Sequence, residues 1–298
     1  MVPRPLPFLI AVGLSDASPL PDAGRWRDRV LAAEAAGVDL VTIDAGDADA
    51  VLVAAGIAAR TETIGVVPVA ATTITEPFHV STAVATVDQV SGGRAGWLAA
   101  VRPTDDAQGL VTWTVPDDVH ADAAEHITAV RALWDSWEDG AEIRDAATSR
   151  FVDAGRVHHV DLRGPHLAVR GPSITPRPPQ GHPPVFVRVR DHVDLELARD
   201  HADVLLVAGG VDAAPLRAPG LLQLLELDAD AGVASRVAAA EAAGFDGVLV
   251  HAPESELALQ ALAPVLADRG GPGRIGDGSL RARLGLPPAK NRFAQARA

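Results

Sequence analysis

Short, uninterrupted apolar runs alternate along this chain with Ala-rich stretches whose apolar positions recur at helical spacing. The runs fall at residues 7–14, 40–44, 64–71, 96–101, 185–190, 204–207, 221–227 and 247–251. They are strand-length and lack polar alternation, as parallel strands do when both faces are covered. Helical patterns lie between most of them, at 26–36, 48–60, 79–90, 121–137, 193–201 and 233–243, and another at 256–267 follows the last run. A β-α alternation through eight strands predicts a closed α/β barrel, the (β/α)8 TIM barrel. A weak internal repeat agrees. Glu34-Ala35-Ala36-Gly37-Val38-Asp39 returns as Glu241-Ala242-Ala243-Gly244-Phe245-Asp246, each copy a helix end, a Gly cap and a strand entry.

The barrel is shortened, and two places depart from a regular one. Residues 140–184, between the fourth and fifth strands, form a long insertion rich in Gly, Pro and His, with short strands expected around 157–162 and 166–169. Loops of this length in a compact domain are usually functional or mobile. Residues 209–220, between strands six and seven, are too few and too rich in Pro and Gly for a crossover helix. A missing helix would expose an apolar stripe, which invites a partner subunit. The Gly/Pro/Arg-rich tail at 270–298 is expected to wrap the surface. All 298 residues are expected to form one domain.

Composition narrows the chemistry. With no cysteine there are no disulfides, thiolate metal sites or cysteine nucleophiles, and with no tyrosine there is no phenol acid. A net charge of −13 argues against nucleic acid or an anionic membrane as partner. No apolar run is long enough to span a bilayer, and the N-terminal apolar stretch fits a first strand better than a signal peptide. A cytoplasmic location is expected. Asp105-Asp106, after the fourth strand, could bind a metal or transfer protons, or serve as a structural loop. His158-His159, near Asp153 and Asp161, could bind zinc, but the spacing matches no established motif. Trp134 and Trp137 read as core anchors. Gly92-Gly93 is a turn, and no phosphate loop follows a strand.

Several stretches, in order along the chain, carry a resemblance. They are residues 71–79 (ATTITEPFH), 91–97 (SGGRAGW), 133–138 (LWDSWE), 169–172 (VRGP), 177–181 (RPPQG), 201–203 (HAD), 284–287 (LGLP) and 291–293 (NRF). The chain resembles the bacterial luciferase-like flavin monooxygenases, in particular their nitrilotriacetate and dibenzothiophene-sulfone branch. The resemblance implies a barrel that takes reduced flavin mononucleotide (FMN) from a separate flavin reductase and uses oxygen on a small organic substrate. It also implies that the flavin lies at the C-terminal mouth of the barrel. A deazaflavin is a further possibility within such barrels, and pairing through the barrel flank implies a homodimer or a heterodimer with a related barrel.

By the same resemblance, Thr72 and Thr73 stand where a Thr or Ser meets the flavin ring, and Asp44 stands one residue early for an Asp beside it. Leu98 replaces an Asn. Where a His, an Arg and a Tyr are expected before the long fourth helix, the chain has Pro116, Val119 and His120. The expected Gly-Ser-Ser phosphate cradle after the fifth strand is replaced by Arg190-Asp191-His192. Two functions stand open. One is a flavin monooxygenase that uses Thr72, Thr73 and Asp44 and grips phosphate through Arg190 with His120, His192 being a further cofactor-binding candidate. The other is a flavin-free barrel in a structural or regulatory role beside a related one.

Overall fold

The computed structural model describes residues 7–16, 22–46, 48–209, 221–252, 255–269 and 278–294. In chain order, β1 (Leu9–Ser15) leads through α1 (Ala23–Ala36) to β2 (Leu40–Asp44), and α2 (Ala50–Ala58) leads to β3 (Gly65–Ala71). After α3 (Pro77–Ser91) and β4 (Trp97–Ala100) come the short α4 (Thr104–Gln108) and the long α5 (Val119–Asp135). Two hairpins occupy the insertion: β5 (Glu142–Asp145) with β6 (Arg150–Val152), and β7 (Leu162–Arg163) with β8 (Ala168–Val169). The chain continues through β9 (Val185–Val189), α6 (His192–His201), β10 (Val204–Val207) and β11 (Leu222–Asp228). It ends with α7 (Val233–Ala243), β12 (Gly247–His251), α8 (Ser255–Asp268) and α9 (Leu280–Arg283).

Strands β1-β12-β11-β10-β9-β4-β3-β2 form the closed parallel barrel that the apolar runs predict. Successive side chains of each strand alternate between two cores. Inward positions, including Leu9, Leu40, Val67, Leu98, Phe186, Leu206, Leu224 and Leu249, fill the barrel. Outward positions, such as Ile10, Val41, Val66, Trp97, Val187 and Val248, pack under the helices. Both faces are therefore apolar, which is why the sequence shows runs rather than alternation.

The helix ends follow side-chain chemistry more than the apolar pattern. Asp22 accepts from the N–H groups of Gly24 and Arg25 and starts α1 ahead of its first apolar residue, and Asp49 does the same for α2 through Val51 and Leu52. Gly37 and Gly244, the shared glycines of the internal repeat, adopt left-handed φ of 88° and 86° and close α1 and α7. Asp105 and Asp106 lie in the first turn of α4 rather than in a loop, where acidic residues complement the helix dipole.

Two expectations need correction. In the insertion, 157–162 is not a strand along its length. It contributes an isolated bridge from Val157 to Trp137 and then β7, while the β5–β6 hairpin was not foreseen. That hairpin is mostly solvent-facing and has no core side to imprint a pattern. The tail does not merely wrap the surface. Leu280, Leu284 and Leu286 are buried with the barrel-interior cluster. Around them Leu280 N–H donates to the Gly93 carbonyl, and Arg283 donates to the carbonyls of Thr63 and Asp39, all near strand starts. The segment thus stoppers the N-terminal end of the barrel. The stretch 210–220, where a helix is expected to be missing, lies outside the described residues, as do 270–277 and 295–298. Among the described residues no helix is long and apolar enough to cross a membrane.

The seam that closes the barrel pairs Leu9 with Gly247. A Cβ on Gly247 would lie 2.5 Å from the Leu9 carbonyl oxygen, against backbone that cannot swing aside. Gly247→Ala should therefore destabilise the fold by about 1–3 kcal/mol, as overpacking does, measured as a lower urea midpoint with an unchanged m-value.

Candidate functional site

The turn from β9 into α6 is where the resemblance places the phosphate cradle. Asp191 caps α6, and its Oδ1 accepts from the N–H groups of Val193 (2.9 Å) and Asp194 (3.0 Å). Those are the donors a phosphate would use. One turn on, Asp194 is buried, its side chain 1% exposed. Arg190 grips it as a fork, Nε to Oδ2 at 2.9 Å and Nη2 to Oδ1 at 3.1 Å, and the Arg190 backbone N–H adds a bond of 2.9 Å to Oδ2. His120 Nε2, from the first turn of α5, meets Oδ1 at 3.0 Å. Burial would raise the Asp194 carboxyl. The hydrogen bonds from Arg190 and His120 and the guanidinium charge outweigh that and hold it below its ordinary pKa. The same bonds raise the Arg190 guanidinium. Arg190 and His120, both expected to hold phosphate, are thus already engaged by the chain's own carboxylate.

At the barrel axis inward positions near the ends of three strands form a second ion-pair cluster. Arg188 Nε donates to Glu226 Oε1 at 2.8 Å, and His251 Nε2 meets the same oxygen at 2.9 Å. Burial pushes the Glu226 carboxyl up, while His251 and Arg188 bring it below its ordinary value. The His251 ring leans over Gly13, where a Cβ would come within 2.3 Å of Nδ1. Below this layer, Leu98, at the position expected to be Asn, is 1% exposed among the apolar residues inside the barrel. It carries no polar group toward the mouth.

The remaining candidates do not join the cluster at the head of α6. Asp44 shares the inward face of β2 with Thr42 and lines a cleft of about 310 Å³ beside Arg188, Glu226 and His251. It also lines a neighbouring cleft of about 520 Å³ beside α2 and α3. Its Oδ1 accepts from the Gly46 N–H at 3.1 Å, an ordinary strand-end turn. Thr72 and Thr73 line a different cleft with α5, and the Thr72 hydroxyl reaches only the Ala100 carbonyl, at 3.4 Å. His192 is exposed at the first residue of α6. Among the described residues no group of His, Asp and Glu is arranged to hold a metal. His158 instead pairs with Glu138 at 2.6 Å, and His159 with the Gly171 carbonyl at 2.8 Å.

The luciferase-like monooxygenase family description matches residues 6–220. Over 297 residues the chain is 35% identical to one of the subunits of pristinamycin IIA synthase from Streptomyces pristinaespiralis, a match covering 97% of this chain and 98% of that protein. The chain belongs to the luciferase-like monooxygenase family. Nitrilotriacetate monooxygenase component A of Aminobacter aminovorans is 39% identical over 158 residues, 52% of this chain but 35% of that protein. A second, different subunit of the same pristinamycin IIA synthase is 34% identical over 122 residues, 40% of this chain and 24% of that protein. Among solved structures, a riboflavin lyase with modified FMN and riboflavin shares the fold at a TM-score of 0.78 and 19% identity, covering 97% of this chain and 100% of that one.

Within this family scaffold, the residues at the α6 turn do not fit a flavin phosphate. The helix N–H groups are capped by Asp191, Arg190 and His120 are bound to Asp194, and both carboxylates would repel the incoming anion. Sequence reasoning missed Asp194, Glu226 and His251. The available signal for Asp194 was its spacing of four from Arg190 across a helix start. Asp194→Asn should lower stability by about 1–3 kcal/mol, the range for a hydrogen-bonded charged group with partly exposed partners, measured by urea unfolding at pH 7. Because the folded pKa is depressed, the gap between wild type and variant should narrow as the pH falls through the carboxylate range, below about 4.

Proposed function

We propose that this chain is a partner subunit of a luciferase-like monooxygenase, a barrel that holds no flavin itself and assembles with a related barrel that does. The observation that carries this reading is the occupation of the expected phosphate grip by Asp194, which takes both Arg190 and His120. The match to one synthase subunit over nearly its whole length supports it, as does the shorter match to the second subunit of that synthase. In this reading the partner barrel takes reduced FMN from a separate reductase and works on the small organic substrate. The present chain contributes surface and stability rather than a cofactor site. A fold shared with flavin enzymes does not oppose it, since function resides in sites rather than folds.

The competing reading keeps the flavin, or a deazaflavin, on this chain and requires Asp194 to release both cations. Anaerobic equilibrium dialysis of the purified full chain against reduced FMN, oxidised FMN, riboflavin and a deazaflavin separates the two. The expected outcome is no binding of any of the four up to about 1 mM, equivalent to less than about 4 kcal/mol of affinity. Binding of FMN at least tenfold tighter than riboflavin, lost in Arg190→Ala, would overturn the proposal in favour of a cofactor-holding enzyme.

A further inference from the structure

Between the head of α3 and the flank of α5, roofed by the β7–β8 hairpin, lies a cleft of about 320 Å³. It lies away from both ion-pair clusters. Glu76, Asp122, Thr73, His126 and His166 supply polar lining, and Trp113 and Val169 supply apolar walls. Thr73 and His126 are each 2% exposed, yet Thr73 Oγ1 and His126 Nε2 have no hydrogen-bond partner. Buried polar atoms in native proteins are nearly always paired, so two orphans on one cleft wall call for a ligand-side explanation. A hydrogen bond with the Thr72 backbone places the imidazole beside this pair of threonines.

The chemistry of the walls selects the ligand. Burial holds the His126 imidazole neutral, with its pKa down to about 3, and burial raises the Asp122 carboxyl. A neutral imidazole and a hydroxyl exchange hydrogen bonds with neutral groups and provide no counter-charge for an anion. Glu76 and Asp122 further disfavour anions by repulsion. The indole of Trp113 and the side chain of Val169 suit a flat or branched apolar body.

We propose that this cleft is a binding site for a small uncharged molecule that joins an apolar body to a hydroxyl or primary amide, the polar group pairing with Thr73 Oγ1 and His126 Nε2. This assignment stands independently of the partner-subunit reading. The cleft shares no lining residue with the Arg190, Asp194 and His120 cluster on which that reading rests.

Benzamide, benzyl alcohol and benzoate serve as probes, titrated into the full chain and followed by saturation-transfer NMR. Benzamide and benzyl alcohol should bind, with benzoate at least about tenfold weaker, since it brings a charge to an acidic, neutral-donor wall. His126→Phe and Thr73→Val should each weaken benzamide by about tenfold, while Asp194→Asn should leave it unchanged. Absence of binding by all three probes, equal binding of benzoate, or benzamide binding untouched by both substitutions would overturn the proposal.

A thermal scan shows whether the His126→Phe chain is folded and tests the burial of His126 separately. The unfolded chain protonates this histidine near pH 6.5, whereas the folded chain resists protonation down to about pH 3. Wild type therefore loses stability through this group as the pH falls below about 6.5. The drop in melting temperature from pH 7.5 to pH 5 should accordingly be smaller in His126→Phe than in wild type. An equal drop would show that the imidazole titrates freely and is not buried in the wall.

Discussion

A carboxylate buried without partners is too costly to persist, and at the mouth of this barrel that rule fixes the partners of two acids. Asp194, at the head of α6, meets it by taking the Arg190 fork, the Arg190 backbone N–H and the His120 ring. Glu226, on the axis, meets it with Arg188 and His251. Asp191 takes the helix N–H groups that a helix start otherwise offers to anions. The head of α6 and the Glu226 cluster are thus satisfied by the chain's own groups. Each element of the functional reading follows from this, because a rim that satisfies itself needs no anion to be stable.

The residues that carry the family resemblance act elsewhere. Arg94, from SGGRAGW, donates to the carbonyls of Ala58, Thr61, Ile64 and Ser91 and ties the α2–β3 turn to the entry of β4. Asp135, from LWDSWE, is held by Arg177 and His182, and Asn291 returns from the tail to the Asp135 and Trp137 carbonyls. Gln180, from RPPQG, bonds the buried Asp88 and also accepts from the Arg281 backbone. These are scaffold contacts that fasten the helices, insertion and tail to the barrel. A chain can keep them all and still rebuild its mouth, so family membership and cofactor binding are separate questions here.

What was legible in the sequence follows the same division. Barrel strands are apolar on both faces, so each strand is visible as a run, and Gly37 and Gly244 mark helix ends by their left-handed backbone. The β5–β6 hairpin has no core face and left no pattern. Leu280, Leu284 and Leu286 sit among Gly, Pro and Arg, and only the barrel they stopper shows them to be core. Arg190-Asp191-His192 drew attention to this turn only as a departure from the resemblance. The partner that completes it, Asp194, looks like any acid on an amphipathic helix until its burial is known. His126 hides in the same way on the apolar face of α5. Arg188, Glu226 and His251 become a cluster only when strands distant in sequence are closed into one ring.

The strength of the self-pairing can be set against what a nucleotide would gain. For a flavin phosphate to use Arg190 and His120, Asp194 must give them up while remaining buried, and breaking such a pair costs about 3–5 kcal/mol. If Asp194 stays in place instead, the phosphate meets a carboxylate already paired with Arg190 and finds no free guanidinium there. Breaking the pair removes about two to four powers of ten in affinity. It also leaves the helix N–H groups capped by Asp191, so the usual source of compensation is taken as well. An occasional side-chain excursion does not lift such a penalty, since it falls on every bound state. The arrangement at the α6 turn therefore works as an internal replacement for the phosphate. On the reading proposed above, flavin chemistry belongs to a partner barrel rather than to this turn.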